Sequence, residues 1–217
     1  MRGAVNGAAR TSLIRYPVRT MARFLYIIRH AQSQPAEALE NAQWPLSELG
    51  RTQALALARL LMPLGITTLF SSPYLRAIGT VEPFSMAAGL EIHVREALHE
   101  RAFVNSEDDD FMAVWKRSWE DFDYALPGCE TNREAQMRVV QAIRDIVSAS
   151  KDDVLGVCSH GAVIGLLLHS LDPCVGRERV EQLRNPDVMK ITLQQDEWVW
   201  DHNYELPGLG GVAARHA

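Results

Sequence analysis

The chain has 217 residues, is 47% hydrophobic and 23% charged, and carries a formal net charge of −5. One domain with short tails is the simplest organisation at that length, and a mildly acidic chain offers no basic face for nucleic acid or an anionic membrane. No apolar run approaches the roughly 18–20 residues of a membrane span, and the three scattered cysteines (Cys129, Cys158, Cys174) make neither a CxxC pair nor a zinc spacing, which fits a reducing cytoplasm.

The chain opens with Arg2, Arg10, Arg15 and Arg19 among Thr11, Ser12 and Thr20, and no acidic residue precedes Glu37. Organelle transit peptides share that composition. The plainer alternative is an over-extended reading with Met21 as the start, so residues 1–22 are expected to be a disordered or mis-assigned extension. Phe24-Leu-Tyr-Ile-Ile28 reads as a buried parallel strand. A polar loop with Pro35 and Pro45 follows, then Ser47 as the N-cap of a helix over about 48–63, closed by Gly65. Ile66 to Phe70 is the second strand. Ser72 is expected to cap the next helix with Pro73 in its first turn, running to Ala88 and stopping at Gly89. Residues 91–94 make a short strand. The acidic run Glu107 to Asp110, ahead of Phe111, Val114, Trp115 and Trp119, suits the start of an amphipathic helix. Thr131 and Glu134 have the spacing of a capping box for a helix to about Ser148. Strand 154–158, a helix over 162–171 and strands near 188–193 and 197–201 complete the chain, and the Gly- and Ala-rich residues after Pro207 read as loose. Strands alternating with helices imply an α/β three-layer sandwich with a mainly parallel central sheet flanked by helices.

Two histidines stand just past apolar strands: Arg29-His30 after the first and Ser159-His160-Gly161 after 154–158. Residues beyond the carboxyl ends of parallel strands line the ligand crevice of such sheets, so both imidazoles are expected in one cleft. A neutral imidazole nitrogen is a competent nucleophile near neutral pH. Phosphorus is an apt target, since guanidinium groups neutralise the charge on the oxygens of a transferring phosphoryl group. Arg29 supplies one guanidinium. Arg76, in the first turn of the helix after Pro73, supplies another next to free helix amides. His160 and the backbone N–H of Gly161 complete the expected cradle. Each residue alone has an ordinary structural use; their coincidence on one sheet edge carries the reading.

Several segments together resemble the histidine phosphatase superfamily, in its phosphoglycerate mutase-like branch. Arg29-His30-Ala31-Gln32-Ser33 is similar to its RHG-x-S/T signature. Leu46-Ser-Glu-Leu-Gly50-Arg-Thr-Gln53-Ala and Ser71-Ser-Pro-Tyr-Leu-Arg76-Ala-Ile-Gly-Thr80 resemble two further segments. Leu98-His-Glu100, Pro127-Gly-Cys-Glu130 with Arg138, and Ser159-His160-Gly161 follow in the family's order. The resemblance covers about residues 23–192 and implies a histidine phosphatase domain over 23–205 with a flexible tail over 206–217. It implies His30 as the nucleophile that becomes phosphohistidine, Arg29, Arg76 and His160 as phosphoryl-binding groups, and Glu100 as general acid and base. Gln32, Ser33 and Gly161 are expected substrate contacts. No metal and no cofactor are expected.

Ala31 departs from the family's glycine, which is tolerated where φ is negative. Gly79 replaces a glutamine. Ala36 stands where the mutases tend to have asparagine, and the stretch from Leu98 to Glu130 is short for a mutase's closing insertion, so hydrolysis is expected over phosphoryl transfer. The expected activity is a metal-independent phosphatase acting on a small phosphorylated metabolite in the cytoplasm, without nucleic acid or membrane partners, as a monomer or homodimer. The alternatives are a phosphoglycerate mutase-type transfer, a phosphohistidine protein phosphatase, and a catalytically dead phospho-ligand-binding protein. Specificity is expected from Asn41–Trp44 and residues 101–128.

Overall fold

The computed structural model describes residues 23–36, 38–103, 110–150, 154–194 and 197–213. Along the chain these form β1 (Arg23–Arg29), α1 (Glu48–Leu61), β2 (Thr68–Ser71), α2 (Leu75–Ala88), β3 (Ile92–Val94) and α3 (Phe111–Glu120). Then come α4 (Asn132–Ala149), β4 (Val154–Ser159), α5 (Gly161–Leu171), α6 (Arg177–Glu181), β5 (Asp187–Leu193) and β6 (Trp198–Trp200). The six strands make one sheet in the order β3-β2-β4-β1-β5-β6. The pairs β1–β4, β2–β4 and β2–β3 are parallel. The pairs β1–β5 and β5–β6 are antiparallel.

Successive side chains of a strand point to opposite faces, and β1 uses both. Leu25 and Ile27 join Leu155 and Val157 of β4 in a core closed by α4 and α5, with Ile143 and Leu167 among its members. Tyr26 and Ile28 join Cys158 in a second core under α1 and α2, with Leu61 and Phe84. The sheet is therefore mostly parallel and flanked by helices on both faces, as the pattern of elements implies. Cys158 is fully buried, and burial pushes its thiol upward, so it packs as a small apolar group.

Local chemistry places several ends where the sequence has them. The Ser47 side chain accepts from Gly50 N–H at the start of α1, and Gly65 beyond it takes a positive φ. Thr131 and Glu134 form a complete capping box on α4. Asp110 caps α3 by accepting from Ala113 N–H, while Glu107–Asp109 lie outside the described residues, as do residues 1–22. Two expectations are corrected and one element is added. The N-cap of α2 is Tyr74, not Ser72, and Pro73 precedes the helix rather than opening it; Ser72 is used elsewhere. The five-residue helix α6, too short to show a hydrophobic period, was not expected. The tail from residue 206 is not loose throughout, because Leu206 and Leu209 are buried in the core beneath α1 and α2. Among the described residues no helix is long and apolar enough to cross a membrane.

Candidate active site

Strand register builds the site. Arg29 of β1 pairs with Ser159 of β4 in a parallel ladder, so the next residues leave the sheet side by side. His30 N–H donates to the Ser159 carbonyl at 3.1 Å, and the ring centroids of His30 and His160 are 5.1 Å apart. The Nδ1 of His30 lies 2.7 Å from the Ala31 carbonyl. A carbonyl only accepts, so Nδ1 carries the proton and Nε2 keeps its lone pair. Arg76 Nε lies 3.3 Å from that Nε2. Behind the ring, Asn185 donates to the His30 carbonyl at 2.7 Å. Ala31, at a negative φ, donates its N–H to Thr80 Oγ1 at 2.9 Å, so the departure from glycine there causes no backbone strain.

Both guanidiniums expected at the site are there and buried. Arg76 is 4% exposed; its Nη1 donates to the Asn41 carbonyl at 2.6 Å and its Nη2 to Asn41 Oδ1 at 2.9 Å. Arg29 donates from Nη1 to the Leu183 carbonyl at 2.6 Å. Burial lowers its pKa to about 10, against the raising influence of Glu100 and Asp187, so it stays charged at neutral pH. Gly161 makes room for it: a Cβ there would sit 3.0 Å from Arg29 Nη2. Gly50 has a similar use, since its Cβ would fall 2.0 Å from the Gln32 carbonyl oxygen, where α1 crosses the loop after β1.

The Glu100 side chain lies against the first turn of α5, whose Gly161 is an expected phosphate contact. Its Oε1 accepts from Val163 N–H at 3.2 Å and Arg101 N–H at 2.9 Å, and its Oε2 from Ala162 N–H at 3.1 Å. The helix amides thus orient a carboxylate facing the same cavity as His30.

His160 is fully buried, and its pKa is held well below the usual imidazole value by burial and by its neighbours His30 and Arg76. It is therefore neutral. Its Nε2 is 2.7 Å from Ser72 Oγ, and its Nδ1 has no hydrogen-bond partner among the described residues. Ser72 Oγ already accepts from Tyr74 N–H at 3.3 Å, so its own proton is available to His160 Nε2, which leaves Nδ1–H as the free donor.

Of the eight residues expected at the site, Arg29, His30, Ser33, Arg76, Glu100 and Gly161 line one cavity of 630 Å³. His160 is fully buried and does not line it, its ring lying 5.1 Å from that of His30. Gln32 is a correction: its side chain accepts from Ser47 Oγ at 2.7 Å, holding α1 to the loop instead of facing the cavity. Four residues were missed. Ser72, Asn185 and the Leu183 carbonyl act through contacts formed only in three dimensions. Asn41 lies in a segment singled out for specificity, but nothing in its spacing shows that it receives Arg76.

Two imidazoles, two buried guanidiniums and a carboxylate therefore gather at the carboxyl ends of parallel strands, where ligand crevices of such sheets lie. The chain belongs to the histidine phosphatase superfamily (branch 1), whose family model matches residues 25–205. Among curated proteins, it is 27% identical over 190 residues to one named "Probable phosphoglycerate mutase GpmB" from Shigella dysenteriae, a match covering 81% of this chain and 87% of that protein. Solved structures agree in fold. The native mycobacterial glucosyl-3-phosphoglycerate phosphatase superposes with a TM-score of 0.69 at 22% identity, over 83% of this chain and 97% of that one. A phosphoserine phosphatase mutant from Entamoeba histolytica, solved with phosphoserine, gives a TM-score of 0.66 at 19% identity, over 82% and 94%.

Proposed function

We propose that this chain is a metal-independent phosphatase that hydrolyses a small phosphate monoester through a phosphohistidine on His30. The observation that carries the reading is the orientation of that ring, with Nδ1–H bound by the Ala31 carbonyl and Nε2 directed at Arg76. In the first step the Nε2 lone pair attacks phosphorus and the phosphorus–oxygen ester bond breaks. A proton from the Glu100 carboxyl goes to the departing alkoxide. In the second step a water oxygen attacks phosphorus, its proton goes to the Glu100 carboxylate, and the nitrogen–phosphorus bond breaks with its electron pair returning to Nε2. Arg29 and Arg76 neutralise charge on the phosphoryl oxygens through both steps, and a buried neutral His160 adds a donor from Nδ1. Binding phosphate requires Arg76 to exchange its two Asn41 contacts for phosphoryl oxygens.

Rapid acid-free quenching with a labelled monoester should trap an acid-labile phosphoenzyme in the wild type and none in His30→Ala, with phosphate release lost in parallel. Retained activity in His30→Ala would overturn the mechanism. The curated relatives named as mutases favour a second reading, phosphoryl transfer between phosphoglycerates. Incubating the phosphoenzyme with a monophosphoglycerate decides between them: release of inorganic phosphate supports hydrolysis, and formation of a bisphosphoglycerate supports transfer.

A further inference from the structure

Beyond the phosphate end, the cavity is walled by rings. Trp44 and Tyr74 line one side and Phe103, Phe111, Met112 and Trp115 the other. The second wall is a set of mutually oriented aromatics. Phe103 meets Phe111 edge-on at 5.6 Å and Trp115 at 5.2 Å, and Phe111 and Trp115 lie almost parallel, 7° apart in plane, at 6.4 Å. Phe111 and Met112 remain 46% and 57% exposed. A helix of this amphipathic kind buries its apolar stripe in the core. Here Val114 and Trp115 do so, whereas Phe111 and Met112 are left on the cavity.

The charged groups beside these rings are themselves engaged. A third arginine, Arg101, borders the cavity and is itself buried. Its Nε donates to the Glu130 carbonyl at 2.6 Å, its Cζ lies 4.0 Å over the Phe103 ring, and its Nη1 has no exposed surface. Glu181, also on this part of the wall, accepts from Trp115 Nε1 at 2.9 Å and from Arg177 Nη1 at 2.6 Å, so its charge is already paired. Beyond Arg29 and Arg76 at the phosphate end, a second anionic group on a substrate would meet among the described lining residues only Arg101, whose guanidinium is buried against Phe103 and two main-chain carbonyls.

We infer that the substrate is the monophosphate of an uncharged alcohol bearing an aromatic or similarly flat apolar group, and that phosphorylated hydroxy acids are disfavoured. This rests on the phosphatase reading above and narrows it. Three monoesters of primary alcohols keep the chemistry matched: 2-phenylethyl phosphate, glycerol 1-phosphate and 3-phosphoglycerate. Burial of one phenyl group predicts kcat/KM for the phenylethyl ester about 10- to 100-fold above that for the glycerol ester, with 3-phosphoglycerate lowest. Phe111→Ala should cost the phenylethyl ester at least about fivefold more than the glycerol ester, because a wall ring supports only the former. Equal kcat/KM for the three, a preference for 3-phosphoglycerate, or uniform losses in Phe111→Ala would each overturn the inference while leaving a phosphatase. If no ester is hydrolysed, the phosphatase reading fails. Calorimetry with 2-phenylethylphosphonate and phosphonoacetate then still decides this one: tighter binding of the phenyl compound supports it, and tighter or equal binding of phosphonoacetate overturns it.

Discussion

At the strand end of the cavity the side chains proposed to act on phosphate are fastened to main chain: His30 to the Ala31 carbonyl, Arg29 to that of Leu183, and Glu100 to three amide groups. At the α3 end the rings are held by one another, and two of the apolar side chains stand partly in solvent. The first arrangement fixes geometry to within a hydrogen bond and tolerates little change. The second fixes a largely apolar shape, and its members can be exchanged singly. Under the proposed function, catalysis that depends on a preorganised electrostatic site belongs in the first, and discrimination between leaving groups in the second.

The largest expected effect tests the strand end. Replacing Glu100 with Gln removes the transferable proton while keeping an acceptor for the amides of α5. Alkyl monoesters should lose about 10²–10⁴ in kcat, while p-nitrophenyl phosphate, whose leaving group needs little protonation, should lose far less. Equal losses on the two esters would remove Glu100 from the acid role.

The next effect is on folding and sets the two ends side by side. In Gly50→Ala the new methyl meets the Gln32 main-chain oxygen, which has no rotamer to retreat to. Overpacking of this kind costs about 1–3 kcal/mol, to be read from urea unfolding midpoints. Met112→Ala, at an exposed position of α3, should shift stability by no more than about 0.5 kcal/mol. A Met112 variant that destabilises as much as Gly50→Ala would show the α3 wall to be as tightly fixed as the strand end.

That contrast also explains what could be read in the sequence. The strand end is written in short fixed spacings, because parallel strands deliver the residue after each strand to one edge: His30 and His160 are found from two apolar runs, and Arg76 from the helix start. The helix caps Ser47 and Thr131 are legible for the same local reason. Contacts between distant segments leave no such trace. Ser72 looks like a helix cap because Ser-Pro before a helix ordinarily is one, yet its hydroxyl turns to His160, 88 positions away. Gln32 sits inside the nucleophile motif but faces Ser47. The aromatic residues of α3 were visible, but packing and ligand contact use the same residue types, and only the fold separates Trp115 from Phe111.

A smaller effect separates the roles of Ser72. Ser72→Ala leaves the buried Nε2 of His160 without its hydroxyl and frees the ring to take the other tautomer, which withdraws the Nδ1 donor. About a tenfold fall in kcat is expected, the worth of about one hydrogen bond near 1.4 kcal/mol. Ser72→Thr, which keeps the hydroxyl, should recover most of it; a threonine variant no better than alanine would point to packing instead.

The smallest effect is a slope with pH. His160 is buried and neutral, with its folded pKa pushed well below the value of about 6.5 it has when unfolded. Below that value the unfolded chain binds a proton that the folded chain does not, so stability contributed by this residue is complete above pH 6.5 and falls as pH drops. The loss is about 1 kcal/mol between pH 6.5 and 5.5 and continues until the folded ring itself is protonated. Carboxylates and other histidines titrate in the same range, so the measurement is the difference in slope of unfolding free energy against pH between the wild type and His160→Asn. The asparagine variant should be flatter over this interval whatever its absolute stability. Identical slopes would mean that His160 already carries a proton in the folded protein. It would then serve the strand end as a third cation beside Arg29 and Arg76 rather than as a neutral donor.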